Sequence, residues 1–408
     1  MRNPAPLNLA PSILPPQLSA EHVEESLLQP SDTEHLASPS NPALHAYLGD
    51  VDDLAGSTPQ LPAGSTCRMP LLQLDVVLMP GATLPLRVMF MSDRRLVEHA
   101  LAAPAPLSRL LTVVFATQPM ATIGCTAEIQ QMRRQADGSI HCLAKGRQRV
   151  SIHFDTVAVD DLAKCRVAVL PEPGNAPLPR EVRAGAAHWH AAALPMFDAA
   201  DLADQARTLF RHFAPEVKEY RGSPLELSFW LSVNLPLQAD TRQQLLECTT
   251  AAARLCCLIK SLQTLGSLRC VECGTQVAAA KDVISMSEEG IGSAYVNSHG
   301  FVHDMITLRE ACSLDCFGDD EPQTENSWFP GYGWTIMYCI NCRIHMGWLF
   351  SATDPENEPR RFWGIRRCHI SEAWEEEASM RGGLVQAYED SFEDDGSFES
   401  FDSADEGT

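Results

Sequence analysis

The clearest chemical signal in this sequence is a set of four cysteines in two C-x-x-C motifs. These residues are Cys270, Cys273, Cys339 and Cys342. Two such thiol pairs can complete the tetrahedral sulfur shell of a structural zinc ion, which stabilises a fold and does no chemistry. A C-x-x-x-C pair, Cys312 and Cys316, lies between the motifs and competes for that role. We predict one structural Zn²⁺ ion on the C-x-x-C cysteines, with unligated thiols or a redox pair as the alternative.

Tryptophans cluster around the second cysteine motif. The candidate cage residues are Trp328, Trp334, Trp348 and Phe350. Trp328 and Trp334 flank a Pro-Gly turn, and alternation along a strand places Trp348 and Phe350 on one face. These side chains can wall a pocket for a flat ligand, while backbone groups near Asn326 bind its polar edges. A methyl-lysine cage is physically similar, and a plain aromatic core is the other interpretation, which we prefer for Trp363.

Short strands are predicted for the region that follows the N-terminal stretch. From Met69 onward, short apolar runs alternate with turn residues, and Asp137-Gly138 is the strongest hairpin signal in the chain. Residues 1–68 are rich in Pro, Ser and Asp, and residues 371–408 are strongly acidic. Because neither stretch can bury enough apolar surface to offset its chain entropy, we expect both to be disordered.

Helical spacing dominates the middle of the chain. Residues 181–194 and 199–213 carry apolar side chains three or four positions apart. We predict a further helix that begins with Asp240 as its N-cap and ends near Gly266. After residue 267 the pattern returns to short strands and turns.

Composition narrows the range of functions. The chain has 408 residues and a formal net charge of −22, so it lacks the basic surface with which a protein binds nucleic acid. The N-terminus has no apolar core of a signal peptide, and no run is long enough to span a bilayer. Fourteen cysteines without such a signal fit a reducing compartment. We expect cytoplasmic and nuclear localisation, with no nucleic-acid or membrane partner.

The first half of the chain resembles the N-terminal domain of Lon proteases. The resemblance rests on Met69–Arg87, Gly124–Glu128, Lys145–Arg149 and Asn234–Glu247. No Gly-Lys-Ser/Thr phosphate loop occurs in the chain, and no length remains for a protease domain. The resemblance therefore implies a binding module without the Lon motor.

The second half is similar to the thalidomide-binding (CULT) domain of the cereblon family. The matching segments are Ser285–Ser287, Ala294–His303, Ser327–Trp334, His345–Phe350 and Phe362–Gly364. This family also places a Lon-like domain and helices before that domain. The resemblance implies an α+β fold: a Lon N-terminal-like β domain, a helical segment, and a zinc-stapled antiparallel β-tent domain at the C-terminal end.

Together with the composition of the two ends, this resemblance divides the chain into five regions. These are a disordered region 1–68, the Lon-like β domain 69–179, the helical segment 180–266, the CULT zinc domain 267–370 and the acidic disordered tail 371–408.

The cereblon family resemblance also implies a function. Its members are substrate receptors of a cullin–RING E3 ubiquitin ligase and have no catalytic residues of their own. The helical segment would dock on the adaptor damaged-DNA-binding protein 1. The cage would accept cyclic imides, namely thalidomide-type glutarimides and the C-terminal cyclic imides of substrate proteins. By motif match, the ligand-binding residues are Asn297, His299, Asn326, Trp328, Trp334, Trp348 and Phe350.

Two residues depart from the family pattern. Asn326 replaces the usual His before Ser-Trp, and Ser298 replaces the Pro after the loop asparagine. Because the family holds the imide mainly through backbone groups at the first of these positions, we expect Asn326 to permit binding. We expect Ser298 to loosen its loop and alter which proteins a bound drug recruits.

Two competing functions belong to other classes. B-type methionine sulfoxide reductases also pair C-x-x-C zinc motifs with a small β fold, and Cys368 beside two arginines resembles their reactive cysteine. However, Ile370 stands where their asparagine is expected. A stand-alone binder of modified peptides would share the cage and lack the adaptor.

Overall fold

A computed structural model describes residues 45–117, 120–160, 162–172, 198–316 and 321–374. Within these ranges the protein combines a strand-rich N-terminal part, a group of helices and two C-terminal sheets. The predicted α+β class is confirmed.

The N-terminal part is a seven-stranded sheet with one helix. Its elements are β1 (Asp52–Asp53), β2 (Thr66–Leu74), β3 (Thr83–Val88), α1 (Met91–Ala102), β4 (Leu110–Phe115), β5 (Ile123–Arg134), β6 (Ile140–Asp160) and β7 (Leu162–Val169). The strand order is β1-β5-β4-β2-β7-β6-β3, and a further β5–β6 pairing closes five strands into a ring. β2 and β4 run parallel, and the other pairs are antiparallel. The predicted hairpin joins β5 to β6, with Gly138 at a φ of +81°.

The prediction of disorder is wrong for residues 45–68. A 3₁₀ helix, Ala46–Leu48, and strand β1 lie in this stretch, and Leu48 and Leu61 are buried. The backbone N–H of Leu61 donates to Gln148 Oε1 at 2.8 Å. Composition does not predict that this segment is ordered, because its contacts are with residues far along the chain. The rest of the predicted N-terminal disorder, residues 1–44, lies outside the described residues.

Four helices follow in the described residues, and side-chain caps define most of their starts. They are α2 (Ala199–Phe213), α3 (Pro224–Asn234), α4 (Ala239–Glu247) and α5 (Ala251–Thr264). Asp198 caps α2, and Ser223 and Glu226 form a capping box on α3. The predicted helix over 199–213 is confirmed, whereas the one over 181–194 lies outside the described residues. None of the described helices is long and apolar enough to cross a membrane.

The single helix predicted from Asp240 to Gly266 is wrong in two respects. Gln238 is the N-cap of α4, and Asp240 lies inside the first helical turn. A break after α4 then ends that helix, and α5 begins afresh with the Thr250 side chain accepting a hydrogen bond from Ala253 N. A threonine cap can start a helix wherever the chain reverses, and periodicity alone does not detect that break.

The C-terminal part contains two antiparallel sheets. Its strands are β8 (Leu265–Cys270), β9 (Gln276–Ala279), β10 (Gly292–Val296), β11 (Val302–Leu308), β12 (Leu314–Asp315), β13 (Tyr332–Cys339), β14 (His345–Ala352), β15 (Arg361–Arg366) and β16 (Ile370–Trp374). One sheet has the order β10-β11-β15-β14-β13-β12 and the other β16-β8-β9. Because 371–374 pair with β8, the predicted disordered tail is wrong for these four positions; residues 375–408 lie outside the described residues.

Buried polar contacts join the C-terminal sheets to the helices and the N-terminal sheet. The Asp304 carboxylate on β11 accepts hydrogen bonds from Arg242 on α4 and from Arg367 Nε, the latter at 2.9 Å. Arg242 also donates to the Val77 carbonyl at 3.0 Å, and Arg367 donates to carbonyls that follow α3, including that of Leu235 at 2.5 Å. This junction fixes β11, which supports the site described next.

Candidate zinc centre and aromatic site

The four C-x-x-C cysteines converge although 66 residues separate Cys273 from Cys339 in sequence. Cys270 Sγ lies 3.5 Å from Cys342 Sγ, and Cys273 Sγ lies 3.6 Å from Cys339 Sγ. All four sulfur atoms lie within 4.8 Å of one another. A tetrahedral shell with Zn–S bonds of about 2.3 Å has sulfur atoms about 3.8 Å apart, so these donors fit one zinc ion.

Each pair sits in a knuckle of the same geometry. Cys270 ends β8, and Gly274 N donates to its carbonyl at 2.9 Å; Cys339 ends β13, and Arg343 N donates to its carbonyl at 2.9 Å. Gly274 and Arg343 occupy the same place in the two knuckles, and both have a φ near +70°, at 71° and 66°. The repeated turn directs both thiols of each pair to one point.

The electrostatics of the thiols favour metal binding. Hydrogen bonds from Thr275 lower the pKa of Cys273 to about 6, so this residue is readily a thiolate. Burial raises the pKa of Cys270 to about 12, a cost that a bound dication offsets. Among the described residues, the four C-x-x-C cysteines form the metal-binding group, and Cys312 and Cys316 are not part of it. The predicted structural zinc centre is confirmed, and zinc would tie the ends of β8 and β13 together.

Trp328 and Trp348 meet edge to face in one aromatic cluster. Their ring centroids are 4.7 Å apart at 78°, and both side chains are buried. Tyr295 stacks on Trp328 at 5.5 Å, while His303 contacts both indoles at 5.6 and 5.2 Å. The Trp328 Nε1 donates to the Val296 carbonyl at 3.0 Å. This contact ties the indole to the end of β10.

Trp334 and Phe350 lie directly opposite each other on β13 and β14. Since Trp348 is two residues before Phe350, it shares their sheet face and is the diagonal neighbour of Trp334. Diagonal positions have Cα atoms about 7–8 Å apart, a spacing that aromatic side chains can reach across. Trp334 is half-buried, and Phe350 is fully buried against Phe329 and Phe362 at 4.7 and 5.0 Å.

Phe350 therefore forms the floor of the cluster, whereas Trp334 is its accessible side. Gly364 on β15 makes room for this floor, because a Cβ there would lie 2.9 Å from Phe350 Cε2. Trp363 points to the opposite side of the sheet and packs into the core shared with the helices. Its assignment to a plain core is confirmed.

The loop between β10 and β11 is held by its own asparagine. Asn297 Oδ1 accepts hydrogen bonds from the backbone N–H groups of His299 and Phe301, at 3.0 and 2.9 Å. Asn297 N also donates to the Phe301 carbonyl at 3.0 Å. Asn297 thus shapes the loop, and His299 and Ser298 are exposed on it.

Asn326 lies on the turn that precedes Trp328. Its backbone is left-handed, with a φ of +55°, and its side chain is exposed. Asparagine tolerates this conformation better than most residues, which is a local reason for its presence here. The neighbouring Glu325 carbonyl accepts a hydrogen bond from Trp334 Nε1 at 2.9 Å. The 325–328 turn is thereby attached to both Trp334 and β10.

Sequence reasoning missed two contributors to this site. Tyr47, in a stretch predicted to be disordered, accepts a hydrogen bond from Val296 N at 3.0 Å and lies against Tyr295 at 6.3 Å. Val296 is therefore bound on its N–H by Tyr47 and on its carbonyl by Trp328. His303 ends the Ala294–His303 motif, and its type indicates no role there. Neither residue carries a local signal, because each acts through contacts with residues far away in sequence.

The histidines beneath the indoles are kept neutral. Burial, followed by the nearby Arg366 charge, lowers the pKa of both His303 and His345 to about 4. His345 contacts Trp348 at 4.7 Å. Neutral imidazoles leave the aromatic faces without an adjacent positive charge, which suits an uncharged ligand.

Cys368, the candidate nucleophile of the reductase alternative, has the wrong electrostatics. Partial burial raises the pKa of its thiol, an effect that outweighs the opposing influence of Arg366. A reductase needs a thiolate, and a raised pKa disfavours it.

Comparison with known families accounts for most of the chain. Residues 68–264 match the family described as ATP-dependent protease La (LON) substrate-binding domain. Residues 267–380 match the family described as Yippee zinc-binding/DNA-binding /Mis18, centromere assembly. The fold and the cysteine site thus define a protein that joins a Lon substrate-binding domain to a Yippee-type zinc domain.

Curated relatives identify the particular family. Protein cereblon of Gallus gallus is 30% identical to this chain, over 85% of the chain and 88% of that protein. Protein cereblon of Xenopus tropicalis is 29% identical over 86% and 90%, and that of Danio rerio 28% over 87% and 94%. The chain belongs to the cereblon family.

Proposed function

We propose that this protein is the substrate receptor of a cullin–RING E3 ubiquitin ligase and recognises cyclic imides. Ligands would be glutarimides of the thalidomide type and the C-terminal cyclic imides of substrate proteins. The proposal rests on membership of the cereblon family and on one observation above all. This is the diagonal placement of Trp334 and Trp348 above the Phe350 floor.

The proposed ligand contacts follow from the positions of the aromatic residues. The imide ring would lie flat between Trp334 and Trp348, since a ring cannot enter between Trp328 and Trp348, whose centroids are only 4.7 Å apart. Backbone groups of the Asn326–Trp328 turn would bind the imide edge. Asn297 and His299 would border the site, Asn297 by shaping its loop and His299 from the exposed rim.

The protein would contribute recognition, and other subunits would transfer ubiquitin. The helical segment, proposed as 180–266, would dock on damaged-DNA-binding protein 1. The zinc domain, proposed as 267–370, would bind the substrate, and the Lon-like domain, proposed as 69–179, would present it to the ligase together with the helical segment. Cytoplasm and nucleus are the proposed locations. A methionine sulfoxide reductase is disfavoured by the raised thiol pKa of Cys368.

Thermal unfolding of the full chain with a glutarimide tests the imide site. We expect the melting temperature to rise with glutarimide concentration, because a ligand that binds only the folded state stabilises it. The ring-opened glutaramic acid is the control, since it has similar atoms and neither the flat ring nor the imide N–H. Equal shifts with both compounds, or no shift with either, would contradict the proposal.

Co-purification separates the ligase receptor from a stand-alone peptide binder. The full chain should retain damaged-DNA-binding protein 1 at equimolar ratio on gel filtration. Imide binding without adaptor binding would favour the stand-alone binder.

A further inference from the structure

A cavity lies beside the turn that carries Trp328. Its volume is about 360 Å³, within the range of small-molecule pockets. It is lined by Ala46, Tyr47, Thr324, Asn326, Ser327, Pro330, Gly331, Tyr332 and Thr353. The 3₁₀ helix Ala46–Leu48 closes one side, and the 324–332 segment forms the other.

The 324–332 segment contributes to both the aromatic cluster and the cavity. Trp328 and Phe329 pack into the cluster, Asn326, Ser327 and Pro330 line the cavity, and Tyr332 does both. A molecule in the cavity would therefore contact the same turn as an imide. The two sites would share the turn and occupy separate spaces.

The floor of the cavity is rigid. The Gly331 carbonyl accepts three hydrogen bonds at 2.9 Å each, from Thr353 N, from Thr353 Oγ1 and from Asn357 Nδ2. Gly331 has a φ of +81°, and a Cβ there would lie 2.4 Å from Asn357 Nδ2. This position favours glycine, and the three hydrogen bonds fix the Gly331 carbonyl at this end of the cavity.

The lining defines the chemistry of the occupant. None of the lining residues carries a charged side chain, so the cavity offers an ionic group no counter-charge. Ser327 and Thr353 use their hydroxyls on backbone carbonyls. Within the described part of the chain, the Asn326 amide and the Thr324 hydroxyl have no hydrogen-bond partner. Tyr47 and Tyr332 add aromatic surface.

We propose that this cavity is a second small-molecule site, selective for a neutral carboxamide attached to a small flat ring. The carboxamide pairs with the Asn326 amide and the Thr324 hydroxyl, because an amide offers both a donor and an acceptor to each of them. The ring packs against Tyr47 and Tyr332. The site does not depend on the proposed imide function, although its coupling to imide binding does.

That coupling has a defined route. Tyr47 lines the cavity and accepts the Val296 N–H at 3.0 Å, while the Val296 carbonyl accepts the Trp328 Nε1 at 3.0 Å. A ligand that holds Tyr47 and Asn326 in place orders the turn and the indole together. The occupied cavity therefore strengthens imide binding, and by linkage the imide strengthens carboxamide binding by the same factor.

The charge preference is tested with three probes of one shape on the full chain. Benzamide is neutral, benzoate is an anion and benzamidine is a cation at neutral pH. We expect saturation-transfer NMR titration to give benzamide an affinity at least about tenfold above either ion, because only the carboxamide offers both a donor and an acceptor and neither ion finds a counter-charge. Equal affinity for the three probes, or no benzamide binding at about 10 mM, would overturn the proposal.

A pair of substitutions tests the location. Thr324→Trp fills the cavity and should abolish benzamide binding. Thr208→Trp places the same side chain on the exposed surface of α2 and should leave binding unchanged. Benzamide binding that survives in Thr324→Trp would refute the assignment to this cavity.

The coupling is measured as the change in glutarimide affinity when benzamide is present at saturation. We expect tighter glutarimide binding in the natural sequence and no change in Tyr47→Phe, which keeps the ring and removes the hydroxyl bound to Val296 N. Benzamide binding without any glutarimide binding would defeat the proposed imide function and leave the second site intact. An unchanged glutarimide affinity in the natural sequence would defeat the coupling.

Discussion

At the scale of single residues, the site separates aromatic side chains that bind from those that support. Trp334 is half-buried and fixed through its Nε1 to the Glu325 carbonyl. Phe350 is completely enclosed, and Trp363 belongs to the core on the other side of the sheet. The sequence motifs contain all three residues, but only the register of β13, β14 and β15 shows their different roles. Residue type predicts an aromatic site, and strand pairing decides which ring faces it.

Truncation of Trp334 should remove function at little cost in stability. In Trp334→Ala we expect imide affinity to fall by at least about a hundredfold, because the ligand loses one of its two aromatic walls. Zinc content should not change.

Trp363→Ala is the opposite case, since it removes a buried core ring, and should lower the free energy of unfolding by about 3–5 kcal/mol. Calorimetric titration at a temperature where both variants are folded should show imide binding by Trp363→Ala alone. Micromolar binding by Trp334→Ala would disprove its role in the cage.

His303 gives the stability of the protein a pH dependence. Its pKa is lowered to about 4 in the folded state, against about 6.5 in an unfolded chain. Between these values the unfolded state binds more protons, so stability is complete above about pH 6.5 and is lost as the pH falls towards 4. Urea unfolding at about pH 6.5 and about pH 5 should show a smaller loss in His303→Gln than in the natural sequence. In His303→Gln, His345 still contributes part of this pH dependence. An identical loss in both proteins would exclude His303 as a source.

At the scale of elements, local signals predicted what local interactions form. The β5–β6 hairpin follows from Asp137-Gly138, α2 follows from its apolar spacing, and the zinc knuckles follow from C-x-x-C. The segment around Tyr47 could not be predicted in this way. Its order comes from hydrogen bonds to Val296 and, through the Tyr47 carbonyl, to Arg87 Nη2 at 3.0 Å. Such partners lie far away in sequence, and composition carries no information about them.

The zinc knuckles hold the C-terminal sheets together as elements. β8 belongs to the three-stranded sheet and β13 to the six-stranded sheet, and the zinc centre joins their ends. In Cys342→Ser we expect loss of zinc and unfolding of the C-terminal part, because metal binding energy of about 10–16 kcal/mol is folding energy in such sites. The N-terminal sheet has its own cores and should remain folded. Zinc analysis and hydrogen exchange check both expectations.

Cys312→Ser is the matched control for this prediction. Cys312 is exposed, and its thiol donates to the Gln276 carbonyl at 3.5 Å, outside the zinc centre. The substitution should leave zinc content and exchange protection unchanged. Equal zinc loss in both variants would mean that the metal is bound in another way.

At the scale of the whole molecule, one carboxylate connects three parts of the chain. Asp304 on β11 binds Arg242 from the helices and Arg367 from the C-terminal part, and Arg242 continues to the Val77 carbonyl in the N-terminal part. Both guanidiniums are almost completely buried. Asp304 also directly follows His303, which supports the two indoles. Consequently, the junction that joins the parts of the molecule also fixes the strand beneath the aromatic site.

Neutralising Asp304 should therefore disturb both the assembly and the site. In Asp304→Asn two buried guanidiniums lose the carboxylate that they share, and we expect the free energy of unfolding to fall by about 3–5 kcal/mol. Asp315→Asn is the control, because Asp315 pairs with Arg343 at 3.0 Å with both side chains 48% exposed. Such a surface pair contributes about 0–1 kcal/mol. Urea unfolding gives both values, and hydrogen exchange should show the excess opening of Asp304→Asn around Val77 and Leu235. If the two variants lose equal stability, the carboxylate does not hold the three parts together, and His303 must be positioned by strand pairing alone.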